Sequence, residues 1–283
     1  MKKNEKILYH YCSVETFFNI IKNSCLWLSD IEKSNDYQEC MVCREYVNKG
    51  IKEYLKNDKK AIKAWEEWYK VGIQTSFQAR TFGVCFSESK DQLSQWRGYA
   101  QNGMGMAIGF DKNILDELNS INKYDIAFGK VLYNDAENYI QKIVDDNMSK
   151  FEYKGVGHIA LELSQNYRMK FPFVKNPGFE EEKEWRAIVC TLIGDWNIPS
   201  SDKIKFSKVK YRTSERKLIP YIEMNFEKIK KNIIKEIWLG PKSEMEIEDI
   251  VNFLYFYGYY ENTENGYNSE YPIFIKKSMT SYR

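Results

Sequence analysis

The chain has 283 residues, 43% of them hydrophobic and 16% aromatic, enough apolar mass for a substantial core, which excludes a disordered or fibrous protein. Its 42 basic and 40 acidic residues leave a formal charge of +2, too small to make nucleic-acid binding the default by whole-molecule electrostatics, although a local basic stripe stays open. His10, Ser13 and Glu15 interrupt the N-terminal apolar run and nothing approaches the roughly 18 unbroken apolar residues of a membrane span, so the six cysteines read as reduced thiols in a cytoplasm.

In chain order, residues 6 to 11, "KILYHY", predict a short buried strand, and Ser13 offers an N-cap for an apolar-rich helix through about Asn23. "CLWLSD" is a second extended piece, followed by the polar loop "IEKSNDYQE". From Tyr37 to about Val71 the pattern predicts two helices with a break near Asn57-Asp58 and with Trp65, Trp68 and Tyr69 available for packing. Strands are expected at 81 to 87 and 104 to 110, then a short helix from Asp111 and a strand in "YDIAFGKVLY". Apolar residues at three- and four-residue spacing predict amphipathic helix from 135 to about 170, broken near Gly155.

The last third returns to strands at 184 to 192, about 204 to 211, 217 to 225 and 233 to 239, and Ser243 and Glu246 suggest a capping box for a final helix. Strands and helices alternate with no regular βαβ period, so the expected fold is mixed α+β. It forms one domain over residues 1–283, with a helical insertion at 37–72.

Few motifs carry chemistry. Cys40-x-x-Cys43 lacks the second pair or nearby His that a zinc site requires, and reads as buried helical thiols. Gly103, Gly105 and Gly109 miss both the dinucleotide and the phosphate-loop spacing and read as a turn entering a strand. His10 sits between Tyr9 and Tyr11, which face opposite to it on a strand; a hydrogen-bonded structural histidine is the plain reading. Trp96, Arg97 and Tyr99 could form an aromatic and guanidinium platform for a base or phosphate, or equally a core anchor with an ion-paired arginine.

The run "FEEEKEWRAIV" is the most informative. On a strand Glu182, Glu184 and Arg186 share one face, and three charges in line beside an apolar stretch imply a wet cleft, a paired network or a salt-bridged sheet edge. The tyrosines of "FLYFYGYYENTENGYNSEY" read as packing for the last helix against the sheet, with a stacking surface as the alternative.

Together "LYHYCSVETFFNIIKNSCLWLSD", "NDYQE", "CFSE", "QWRGYAQNGMGMAIGF", "FEEEKEWR" and "IWLGP" resemble a bacterial family known as domain of unknown function twenty-nine seventy-one, from about Ile7 to Pro241. That family reads Asn-Asp-Pro where Asn35-Asp36 here precede Tyr37. The resemblance extends to ADP-ribosyltransferases, and it implies their largely antiparallel split sheet with an early-strand His and a later Glu-x-Glu. Glu182-Lys183-Glu184 look like that later element and "YHY" like the early NAD-binding strand, whereas no Ser-Thr-Ser strand is present.

What the resemblance implies is an NAD-consuming enzyme acting on a macromolecular acceptor, protein or nucleic acid, in a bacterial defence or toxin system. Glu184 would stabilise the ribosyl cation and Glu182 would orient or deprotonate the acceptor. His10, flanked by Tyr9 and Tyr11, would hold the adenosine ribose; Arg97 or Arg186 would pair with the pyrophosphate, and Trp96 or Tyr99 would stack a ring. No metal is expected. The alternatives are a non-catalytic nucleotide or nucleic-acid sensor using the same arginines and aromatics, and a metal-dependent nuclease using Glu182, Glu184 and Asp36.

Overall fold

Alternation of side chains along the strands decides what lies above and below one large sheet. The computed structural model describes residues 6–33, 37–75, 79–194, 196–214, 217–263, 266–268 and 273–282. Strand β1 (Ile7–Cys12) runs into helix α1 (Val14–Asn23), whose first turn is fixed by the Ser13 hydroxyl accepting from Thr16 N at 3.0 Å. Ser24, in the left-handed conformation, ends that helix and starts β2 (Cys25–Asp30).

Two helices follow, α2 (Tyr37–Tyr54) and α3 (Lys59–Thr75), as the sequence predicts, and Asp58 caps the second by accepting from Ala61 N at 2.9 Å. Next come β3 (Ala79–Ser87), α4 (Leu93–Tyr99), β4 (Met106–Asp111), the short α5 (Lys112–Asp116) and β5 (Ile126–Lys130). Helices α6 (Ala136–Met148) and α7 (Phe151–Met169) supply the predicted amphipathic stretch. They separate at Ser149-Lys150, whereas Gly155, at φ +73°, is a kink inside α7.

Strand β6 (Glu184–Leu192) is followed by β7 (Lys205–Phe206), β8 (Lys210–Ser214) and β9 (Lys217–Asn225), so the single strand expected at 204 to 211 is two short ones. Then α8 (Lys230–Ile233), β10 (Ile234–Leu239), α9 (Ile247–Phe256), β11 (Glu261–Thr263), β12 (Gly266–Asn268) and β13 (Phe274–Lys277) complete the described chain. The expected capping box does not form: α9 begins after Glu246 with no side-chain cap, and Ser243 Oγ instead accepts from Met245 N within the preceding turn.

Mixed α+β architecture is what the sequence predicts, and the sheet is largely antiparallel, with β10–β13 as its parallel strand pair. Strand β3 is its branch point. One edge of β3 pairs with β6 along its whole length, from Ala79↔Leu192 to Ser87↔Glu184. The other edge is shared: β1 meets it at Ser87 through Tyr9, and β2 meets it at Gly83 and Phe82 through Ser29 and Asp30. The sheet therefore splits into two wings, β1–β4–β10–β13 and β2–β9 with β7 and β8, joined by β3.

One face of both wings carries the main core, where Leu8, Phe86, Ile108 and Val189 pack with Phe17 and Ile21 of α1 and Ile250 and Leu254 of α9. Tyr259, fully buried, joins that core and donates its hydroxyl to the Ile21 carbonyl at 3.1 Å, so this part of the aromatic tail does pack inward. A second apolar cluster unites the expected insertion with later helices: Val47, Ile51 and Trp65 of α2 and α3 pack on Ile140, Val144 and Leu163 of α6 and α7. The insertion is half of a four-helix unit.

Two glycines explain a pair of the sequence fragments. A Cβ on Gly105 would lie 2.2 Å from the Cys12 carbonyl oxygen, and one on Gly240 would lie 2.2 Å from the Gly103 carbonyl oxygen. The loop before β4 and the end of β10 touch backbone to backbone, with Gly240 N donating to Gly105 O at 2.9 Å. Gly105→Ala is expected to destabilise by about 3 kcal/mol or more, because only backbone could yield. Gly98→Ala, in α4 with nothing within 4 Å of the new methyl group, is expected to be neutral or to stabilise by up to about 1 kcal/mol. Urea midpoints of the two variants check this contrast, and equal midpoints would refute the close-approach argument.

Candidate functional site

The face of the sheet opposite the main core carries the predicted site. The register puts Tyr9, Ser87 and Glu184 on that face, with Cys85 and Arg186 one pleat further on. Two covers lie over it. Over β1, β4 and β10, α4 inserts Trp96 against Tyr9, Tyr11, Ala107 and Trp238; beyond β6, Ile188 packs under Ile31, Tyr167 and Phe173. Between the covers Cys85 is exposed in the middle of the sheet.

Glu182 does not lie on the strand, contrary to the expected three-charge row. It ends a 3-10 turn at Pro177–Glu182, and Lys183 at φ +46° turns the chain before β6 begins at Glu184. A lysine gathers the pair nonetheless. Lys175 Nζ donates to Glu182 Oε2 at 2.6 Å and to Glu184 Oε2 at 3.1 Å. Arg186 grips Glu184 as a fork, Nε to Oε1 at 2.6 Å and Nη2 to Oε2 at 3.0 Å, and its Nη1 donates to Pro172 O at 2.7 Å.

The Tyr99 hydroxyl donates to the remaining oxygen, Glu182 Oε1, at 3.0 Å, so all four carboxylate oxygens are engaged. Relative exposures of 8% for Glu182, 4% for Glu184 and 2% for both Lys175 and Arg186 make this a buried network, one of the readings the sequence leaves open. Burial opposes ionisation of Glu184, yet Arg186 and Lys175, with the Cys85 thiol as a further donor, hold its carboxyl below the ordinary value. Burial pushes the Tyr133 phenol up to about 12, so it stays neutral and accepts from Glu184 N at 2.9 Å.

The imidazole and the carboxylates, expected to line one pocket, are separated by the sheet. His10 alternates with Tyr9 and Tyr11 and faces the side of Leu8 and Cys12, 6.0 Å from the Phe86 ring, whereas Glu184 faces the other side. Its Nδ1 lies 2.9 Å from Cys85 O, at the point where β1 and β2 part from β3. A carbonyl only accepts, so Nδ1 carries the proton. Burial lowers the His10 pKa, with the Cys85 bond opposing that shift.

The predicted aromatic contacts divide. Trp96 is fully buried, donates Nε1 to Asp91 Oδ1 at 2.7 Å and meets the Tyr11 ring edge-on, which leaves no face for a ligand. Tyr9 and Tyr11 are buried as well, donating to Glu236 Oε2 at 3.0 Å and to Ser89 O at 2.8 Å. Tyr99, 50% exposed, and the exposed Arg97 remain at the rim, the guanidinium 6.0 Å from the Tyr282 ring.

Of the residues named for a nuclease, Glu182 and Glu184 are both ion-paired to Lys175, Glu184 also to Arg186, and Asp36 lies outside the described residues. Among the described residues no group of three His, Cys, Asp or Glu is arranged to hold a metal; Cys40 lies outside them as regards its side chain. Sequence reasoning missed Lys175 and Cys85. Lys175 stands seven residues before Glu182 with no periodic relation to it, whereas alternation through "TFGVCFS" did place Cys85 opposite Val84 and Phe86.

Removing one partner leaves a buried charge uncompensated, so Glu184→Gln is expected to cost about 3–5 kcal/mol in urea unfolding. Glu181→Gln, exposed in the same acidic run, should stay within about 0.5 kcal/mol; similar losses for both would refute the network. A second expectation concerns pH. Because His10 titrates lower when folded, its contribution is complete above the ordinary value of 6.5 and is lost as pH falls towards the folded value. The melting temperature of the wild type should therefore drop more than that of His10→Asn between about pH 7.5 and about pH 5.5. Parallel curves would show that His10 does not resist protonation.

No helix among the described residues is long and apolar enough to cross a membrane. No curated protein and no solved structure matches the chain. A family profile matches over residues 95–187, the stretch that contains α4 and its rim residues, Tyr133, Lys175, both glutamates and Arg186. Over that stretch the chain is similar to the family described as "Protein of unknown function (DUF2971)".

Proposed function

We propose that the chain is a nucleotide-binding module in which Lys175, Glu182, Glu184 and Arg186 form a rigid scaffold and the rim of α4 meets the ligand. One observation carries this reading: every oxygen of the two carboxylates is engaged inside the protein, while Tyr99, bonded to Glu182, is exposed, as is Arg97 two residues before it on α4. A phenol ring stacks on a base, and a guanidinium without a carboxylate at salt-bridge distance among the described residues pairs with a pyrophosphate. Neither contact needs a general base. The neutral sum of two cations and two anions also offers little net field to a developing ribosyl cation.

A second reading, ADP-ribosyl transfer from NAD, is favoured by the split sheet and by a Glu184 carboxyl held ionised near the split. In that case Glu184 would have to exchange Arg186 or Lys175 for the ribose as the ligand enters. The Tyr99 hydroxyl links the α4 rim to Glu182, and its movement would open that side.

Calorimetric titration with NAD and with ADP-ribose, alongside chromatography of released nicotinamide, separates the readings. A binding module takes up both ligands, loses about ten-fold in affinity on Tyr99→Ala or Arg97→Ala, and releases no nicotinamide above the protein-free rate. Release that disappears in Glu184→Gln, at a temperature where circular dichroism shows that variant folded, selects the transferase. Absence of both binding and release would sink the nucleotide reading.

A further inference from the structure

A cleft of about 410 Å³ lies away from the charged network, at the far end of β6. Helix α7 lines one wall with Leu161, Gln165 and Arg168, spaced four and three residues apart and so on one helical face. Thr191 and its neighbours at the end of β6 form the floor, with Tyr124 and Asp125 from the turn before β5 and Trp196 from residues 196–199 around it. The volume falls within the roughly 300–1,000 Å³ of small-molecule sites.

Its charges are unusual. Arg168 and Asp125 are both half-buried and both line the cleft, yet neither makes a salt bridge to the other or to any described residue. Among the described residues Arg168 has only the Cys190 thiol as a side-chain partner, and Asp125 uses Oδ2 to accept from Asn122 Nδ2 at 2.8 Å, which leaves its Oδ1 without a partner among them. By contrast, the half-buried Arg80 is paired with Asp30 and Glu32. A cation and an anion set apart in one cleft match a ligand that brings an anionic group and a hydroxyl or amine donor on one frame.

Two large rings complete the complement. Trp196 is 58% exposed and Tyr124 is 60% exposed, both on residues that line the cleft. Exposed aromatics in one cleft with a guanidinium that has no carboxylate partner among the described residues are the contacts that a planar base with a phosphate uses.

We propose that this cleft binds a nucleoside monophosphate, with the phosphate on Arg168, the ribose hydroxyls or an exocyclic amine on Asp125, and the base against Trp196 or Tyr124. The site is independent of the rim at Tyr99 and Arg97 and does not rest on the reading given for it.

Isothermal titration of the full chain with AMP, adenosine, inorganic phosphate and free tryptophan tests the assignment. AMP should bind more tightly than adenosine or phosphate. Arg168→Ala should weaken AMP by about ten-fold or more while changing adenosine little, because a charge-assisted contact is removed. Trp196→Ala, at an exposed position where loss of folding is not expected, should weaken AMP and adenosine alike. Tyr99→Ala should leave AMP binding at this site unchanged even where it abolishes ADP-ribose binding. The proposal is overturned if AMP does not bind, if both Arg168→Ala and Trp196→Ala leave its affinity intact, if its binding is lost instead on Tyr99→Ala, or if tryptophan binds better than AMP.

Discussion

The shared edge of β3 is the constraint on which the rest of the molecule depends. A strand has two hydrogen-bonding edges, and β6 fills one of them completely. The other edge is too short for two full partners, so β1 takes its end and β2 its middle, and the strands beyond each diverge as separate wings. Where they part, backbone groups of β3 lose ladder partners, and His10 supplies one through its ring nitrogen at Cys85 O. The histidine that the resemblance assigns to the adenosine ribose acts here on the backbone, closing the gap that the branch creates.

The same branch explains why four charges can be buried together. Glu184 opens β6 opposite Ser87, and the chain reaches it through a 3-10 turn whose last residue, Glu182, is tied by Ser87 Oγ donating to its carbonyl at 2.7 Å. Lys175 then bridges the two carboxylates from the preceding segment, and Arg186 closes the set from one pleat along the strand. Desolvating four charges is costly, and the network is tolerated because each oxygen has a short, directed donor. Such an arrangement fixes the α4 rim rigidly, since Tyr99 is hydrogen-bonded to Glu182 and Trp96 is locked on Asp91.

Asp91 ties this region to the end of the chain. It accepts from Trp96, from Ser278 Oγ at 2.6 Å, from Met279 N at 2.8 Å and from Thr280 Oγ1 at 3.0 Å. Burial opposes its ionisation, but these donors prevail and its carboxyl stays below the ordinary value. The stretch that matches the family profile, residues 95–187, thus meets the N-terminal strand directly, through β1 paired with β4 and Tyr11 against Trp96, and the end of the chain through Asp91.

Much of the local structure was legible in the sequence, because it depends on neighbours within a few residues. The first strand, the Ser13 cap, the two helices parted near Asn57-Asp58 and the strand beginning at Glu184 all follow from alternation, capping chemistry and helical spacing. Alternation also put His10 on the face opposite Tyr9 and Tyr11, although which of those faces the glutamates share depends on the register across β3. What only the tertiary structure decided was the pairing across the sheet. Nothing local links Glu184 to Ser87, Lys175 to both glutamates, or Arg168 to a cleft with Asp125. Those relations come from strand register and from helices packed over long loops, and a charged side chain carries no mark of its partner until the fold removes the water between them.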